Sequence, residues 1–167
     1  MTAVIEARPT TGVTIAPLPE RFLNRVRTEG VDDQGQPVRR LVAAGGEPCR
    51  DILRRARPGE ELILASFTPF TKSGPYREFG PVFILAKDSG ERPRLDRVPP
   101  AGASGNYLQS QFVIRAYSAE EEIVAAELVQ AEDLEARVEE LFEIPDTTFL
   151  HVRFPTYGCF ACRIDRS

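Results

Sequence analysis

Thr147-Thr148-Phe149-Leu150-His151-Val152-Arg153-Phe154, then Pro155-Thr156-Tyr157, then Gly158-Cys159-Phe160-Ala161-Cys162-Arg163-Ile164, is the stretch whose reading decides the fold. Side chains of a strand alternate between faces. Leu150, Val152 and Phe154 therefore share one face, and Phe149, His151 and Arg153 share the other. Two such runs around a Pro-Thr-Tyr turn predict an antiparallel C-terminal hairpin. A three-residue loop sets Phe154 against Gly158, Arg153 against Cys159, His151 against Ala161 and Phe149 against Arg163, which keeps the polar side chains together. A four-residue loop sets His151 opposite Cys162 instead, since a slip of one residue turns every side chain over. The shorter loop is the expectation. It also governs Cys159-Phe160-Ala161-Cys162, whose spacing is that of a redox or zinc CxxC. On a strand, residues three apart point to opposite faces, so the two sulfurs read as separate structural thiols.

Outward from the hairpin, Leu134, Val138, Leu141 and Phe142 fall on one helical stripe, with acids in the first turn and Pro145 beyond the end. Gln111–Tyr117 alternates as a strand, and Ile123–Val129 is read as the next one. Val82–Ala86 is apolar without alternation, as for a central strand covered on both faces. Leu62–Phe67 and Val38–Ala44 are two more strands, and Phe22, Leu23 and Val26 mark a short helix over Pro19–Glu29 that Gly30 ends. The long Pro-, Gly- and Ser-rich stretch from Lys87 to Ser110 has the composition of a lid or a disordered segment. Its glycines lack the Gly-Lys-Ser/Thr of a phosphate loop. The sequence thus predicts an extended arm over residues 1–18 and a single α+β domain over 19–167. That domain holds a largely antiparallel sheet of about six strands with two helices, ending in a β-hairpin.

Composition narrows the function classes. The chain has 167 residues, 42% hydrophobic and 28% charged, which suits one folded domain. A formal charge of -4 argues against nucleic acid, whose binding rests on a basic face. Lys72 and Lys87 are the only lysines among 21 cationic side chains, a skew first explained by GC-rich codons, although arginine also binds planar anions better than lysine. No window approaches the ~20 apolar residues of a membrane span, and the first residues lack a secretory pattern. Three cysteines without such a leader predict reduced thiols in a cytoplasmic protein.

A set of short motifs recurs in order along the chain: Gly46-Glu47-Pro48-Cys49-Arg50, Pro58-Gly59-Glu60-Glu61, Gly74-Pro75-Tyr76, Gly80-Pro81-Val82-Phe83, Ile114-Arg115-Ala116-Tyr117, His151-Val152-Arg153 and Tyr157-Gly158-Cys159-Phe160. In these the chain resembles the bacterial domain-of-unknown-function family numbered 1203, over roughly Gly46–Arg166. The resemblance implies no activity, substrate or cofactor. Family members often carry a His and a second Cys after the Pro-Cys-Arg motif, where this chain has Asp51 and Ile52, and an apolar residue is expected where Cys162 stands. Both departures weigh against a metal site.

The shared residues without an evident packing role are Arg50, Tyr76, Arg115, His151, Arg153 and Tyr157. Guanidinium forks bind carboxylate or phosphate, and an imidazole serves as acid, base or donor. The leading expectation is therefore a small anionic ligand held by these residues. His151 and Cys159 are the candidates for any catalysis, with Cys49 as a second candidate thiol. The residues leave open whether the protein is an enzyme, and name neither cofactor nor oligomeric state. One alternative is a zinc or thiol site at Cys49, His151 and Cys159. Another is a protein-interaction module. The structural alternative pairs each arginine with an acid such as Glu47, Asp51, Glu60, Glu78 or Asp165, and makes His151 a hydrogen-bonded structural residue.

Overall fold

The computed structural model describes residues 12–167. Most of the arm expected over residues 1–18 thus lies outside the described residues. Its last part is a short edge strand, β1 (Val13–Ala16).

Ten strands of the described residues form two five-stranded sheets. The first contains β1, β7 (Gln111–Tyr117), β8 (Ile123–Gln130), β9 (Phe149–Arg153) and β10 (Phe160–Arg166), ordered β1-β10-β9-β7-β8 and antiparallel throughout. The second contains β2 (Arg39–Val42), β3 (Pro48–Cys49), β4 (Arg54–Arg55), β5 (Glu61–Phe67) and β6 (Gly80–Leu85), ordered β2-β5-β6-β3-β4. Only β3 and β6 run parallel. The fold is α+β, largely antiparallel, with two helices and a C-terminal hairpin, as expected. Ten strands in two sheets stand where about six in one sheet were expected: Pro48–Cys49 and Arg54–Arg55 are too short to show an alternation, and local pattern does not encode which strands pair.

Each sheet buries an apolar face under a helix. α1 (Glu20–Asn24) continues as one π-helical turn over Arg25–Glu29 and places Phe22 and Val26 on Ile63, Ala65, Val82 and Ile84. Gly30, at φ 68°, stops it in the left-handed conformation that glycine adopts without strain. Leu85 and Cys49 pack with Ile52 and Leu62 on the other side, so β6 is central and covered on both faces. α2 (Leu134–Glu143) lays Leu134, Val138, Leu141 and Phe142 on Phe112, Ile114, Leu150, Val152 and Ile164. The Lys87–Ser110 stretch is neither lid nor disordered chain. Val98, Tyr107 and Leu108 are buried in the same core, and the Arg55 guanidinium donates to the Asn106 and Tyr107 carbonyls at 2.8 and 3.0 Å.

The hairpin differs from the expected three-residue loop. Gly158 has φ 72° and belongs to the turn, and the Gly158 N–H donates to the Phe154 carbonyl at 2.8 Å. The loop is therefore Pro155–Gly158, with Arg153 opposite Phe160. A bulge at Ala161 then shifts the register, setting Cys162 against Val152 and Arg163 against His151. This restores the segregation of faces that a four-residue loop alone would break. Cys162 joins Val152 and Ile164 in the apolar core, away from His151. The Tyr107 hydroxyl donates to the carbonyl of the bulged Ala161 at 2.7 Å.

Candidate functional site

Across the first sheet, on the face away from α2, Arg115, His151 and Arg163 stand side by side on β7, β9 and β10. His151 is fully buried, with the rings of Phe70, Tyr117, Phe149 and Phe160 at centroid distances of 5.2, 4.7, 5.2 and 5.1 Å. Neither ring nitrogen has a hydrogen-bond partner among the described residues. Burial, reinforced by the charges of Arg153, Arg163 and Arg115, holds its pKa well below the ordinary imidazole value. His151 is therefore neutral, and it is not the hydrogen-bonded residue of the structural alternative.

The arginines around it are covered by carboxylates. Arg163 grips Asp165 at 2.8 Å and stacks on Phe149 at 3.9 Å. Arg115 and Arg153 reach the same oxygen, Oε1 of Glu78, Arg115 at 3.2 Å. The Arg153 side chain is only 5% exposed, whereas that of Glu78 is 42% exposed. Burial lowers the Arg153 pKa while the Glu78 charge opposes the shift. Glu78 arrives from the connection between β5 and β6. That connection is anchored at Phe70 among the aromatic rings, and at Thr71 and Lys72, whose N–H groups donate to the Glu121 carboxylate at 2.9 and 3.0 Å.

Glu78 and Arg153 line a cleft of about 180 Å³. Its other walls are Phe67, Pro69, Phe79, Pro81, Tyr157, Cys159 and Phe160. The structure thus brings Arg153, Tyr157 and Cys159 together at the cleft, with Arg115 behind Glu78 and His151 beneath Phe160. Tyr76 is exposed two residues before Glu78 and does not line the cleft. Arg50 is elsewhere in role. The parallel pairing of Cys49 with Phe83 fixes it, and its buried guanidinium donates to the Phe160 and Pro48 carbonyls, both at 2.8 Å, while lying 5.1 Å from the Phe154 ring. That is a structural cation joining the two sheets.

Cys49 is buried in the other sheet's core, with its thiol pushed up to about 12 by burial. It does not meet His151 and Cys159, and no group of three or more His, Cys, Asp or Glu among the described residues is placed to hold a metal. Of the acids named as arginine partners, Asp51 pairs with Arg27, Glu60 with Arg54, Asp165 with Arg163, and Glu78 with two arginines at once. Phe79, Phe70 and Glu121 escaped the sequence reading. The only signal for Phe79 was its place before the Gly80-Pro81 motif.

No helix of the described residues is long and apolar enough to cross a membrane. A family model described as "Protein of unknown function (DUF1203)" matches residues 46–166. No curated protein and no solved structure matches the chain.

Proposed function

A chain that belongs to this family of unknown function takes no activity from it, and we propose that the protein binds a small carboxylate or phosphate by exchanging it for the side chain of Glu78. One observation carries the reading: two guanidinium groups from neighbouring strands, one of them buried, converge on a single oxygen of a part-exposed carboxylate at a cleft. Arginine pairs of this kind suit planar or tetrahedral oxyanions. Glu78 fills the position that a solute anion takes. The neutral His151, packed behind Phe160, adds no further positive charge.

Glu78→Gln removes the internal competitor. Inorganic phosphate or acetate is expected to raise the melting temperature of this variant more than that of the wild type, with a stabilisation of ~2.7 kcal/mol at one hundred times Kd. Phosphate stabilises many folded proteins at high concentration, so the readout is the difference from Glu78→Gln combined with Arg115→Ala. Arg115 is chosen because it is more exposed than Arg153. Equal responses of the single and double variants would remove the basis for the proposal.

A further inference from the structure

Resting on that exchange, we infer that the anion carries an aromatic ring: the cleft is a receptor for an aryl acid, with the acid group on the arginines and the ring between Phe79 and Tyr157. Three aromatic side chains of the described residues are exposed, Tyr76, Phe79 and Tyr157, and all are at or beside this cleft. Phe79 and Tyr157 line it, 41% and 86% exposed, and Tyr76 lies in the same connection as Phe79. The other large exposed apolar side chains, Val42 and Leu128, sit singly on the edge strands β2 and β8. The Arg77 guanidinium lies 5.5 Å from the Phe79 ring centroid, and what it leaves open of that ring, with the exposed Tyr157 ring, is the aromatic surface offered to a ligand.

The remaining lining side chains agree. Phe67, Pro69, Pro81 and Phe160 are apolar, and Arg153 is the only cation lining the cleft. A phosphate or acetate ion touches the charged end alone and leaves these walls wet. A ring fills them, stacking or meeting the aromatic edges in the arrangements such pairs prefer. Size agrees. About 180 Å³ is below the ~300–1,000 Å³ of pockets that hold drug-sized molecules, which suits one ring with one acid group.

The test titrates wild type and Glu78→Gln with phenylacetate, acetate and benzyl alcohol, followed by amide NMR shifts. Phenylacetate is expected to bind Glu78→Gln about tenfold or more tightly than acetate, and Phe79→Ala and Tyr157→Ala are each expected to weaken phenylacetate several-fold without changing acetate. Both are surface positions, so the variants fold. Phenylacetate and acetate binding equally, and equally in Phe79→Ala, overturns the aryl assignment while the carboxylate exchange stands. Benzyl alcohol binding as tightly as phenylacetate overturns the exchange itself, because the acid then contributes nothing. No shift with any probe overturns both.

Discussion

His151→Phe is predicted to abolish most of the protein's loss of stability between pH 7.5 and pH 5.5. His151 is the only histidine of the chain, and histidine is the side chain whose ordinary pKa lies in this range. In the unfolded chain its pKa is ~6.5. In the fold, burial first and then Arg153, Arg163 and Arg115 hold it far below that. The folded state therefore stays neutral while the unfolded state takes up a proton as the pH falls, so stability drops through and below pH 6.5. The linkage slope approaches ~1.4 kcal/mol per pH unit, and integrated from pH 7.5 to 5.5 it amounts to about 1.4 kcal/mol. For a chain of this length that is roughly 3–6 °C in melting temperature. Phenylalanine keeps a ring among Phe70, Tyr117, Phe149 and Phe160 and cannot titrate. Its effect at pH 7.5 alone has two opposing parts, relief of two unpartnered nitrogens, ~1–3 kcal/mol, and overpacking by a larger ring, also ~1–3 kcal/mol. The pH difference between wild type and variant cancels both, and it also cancels carboxylate titration common to the two proteins. Urea unfolding of each at the two pH values measures it. The same pH dependence in both proteins would show that His151 protonates in the folded state, and the buried aromatic box would be the wrong account of it.

Thiol labelling at pH 8 is expected to modify Cys159 alone in the native protein and all three cysteines in denaturant, because Cys49 and Cys162 are buried with thiols pushed up to about 12; more than one native thiol reacting at the rate of Cys159 contradicts this. Tyr107→Phe leaves the carbonyl of the Ala161 bulge without its donor and is expected to cost ~1–3 kcal/mol in urea unfolding. An unchanged midpoint would mean the bulge does not depend on the Lys87–Ser110 stretch. Glu121→Gly keeps the φ of 61° without strain but deletes the acceptor of the Thr71 and Lys72 amides. Hydrogen exchange over residues 68–80 is expected to accelerate while that of β7 and β9 does not, and unaltered protection at 71 and 72 refutes the anchor.

The elements were legible where a period repeats. Leu134, Val138, Leu141 and Phe142 mark α2, and the alternation in Gln111–Tyr117 marks β7, because burial against one face selects those positions directly. The separation of His151 from Cys162 was also legible, though for an incomplete reason. Alternation gave the two faces of β9, but the register of β10 depends on Gly158 turning left-handed and on the Ala161 bulge. The bulge is held by a tyrosine 54 residues away, which no local pattern announces. The site was half legible for the same cause. Arg115, Arg153 and His151 share a face that alternation predicts, whereas Glu78 reaches them from a connection with no period, and Arg50 looked free only because its acceptors are backbone carbonyls.

On the proposed exchange, the way the β5–β6 connection is fastened lets Glu78 leave without unfolding the site. Phe70 is buried in the aromatic cluster, and Thr71 and Lys72 are held by Glu121, so the near half stays on the sheet whatever Glu78 does. Residues 73–77 are exposed and span the gap to Glu78, whose contacts to the sheet are the two arginines. Departure of Glu78 alone strands the buried Arg153 without its counter-charge, and breaking a buried pair from one side costs ~3–5 kcal/mol. An open, empty site is therefore rare. An incoming acid that supplies the same oxygens restores the pairing and leaves only the cost of ordering itself, so the release of Glu78 and the arrival of the anion are one coupled step. On the proposed exchange, that coupling makes the segment a selective cover: a neutral molecule does not offset the displacement, and a cation meets two guanidinium groups.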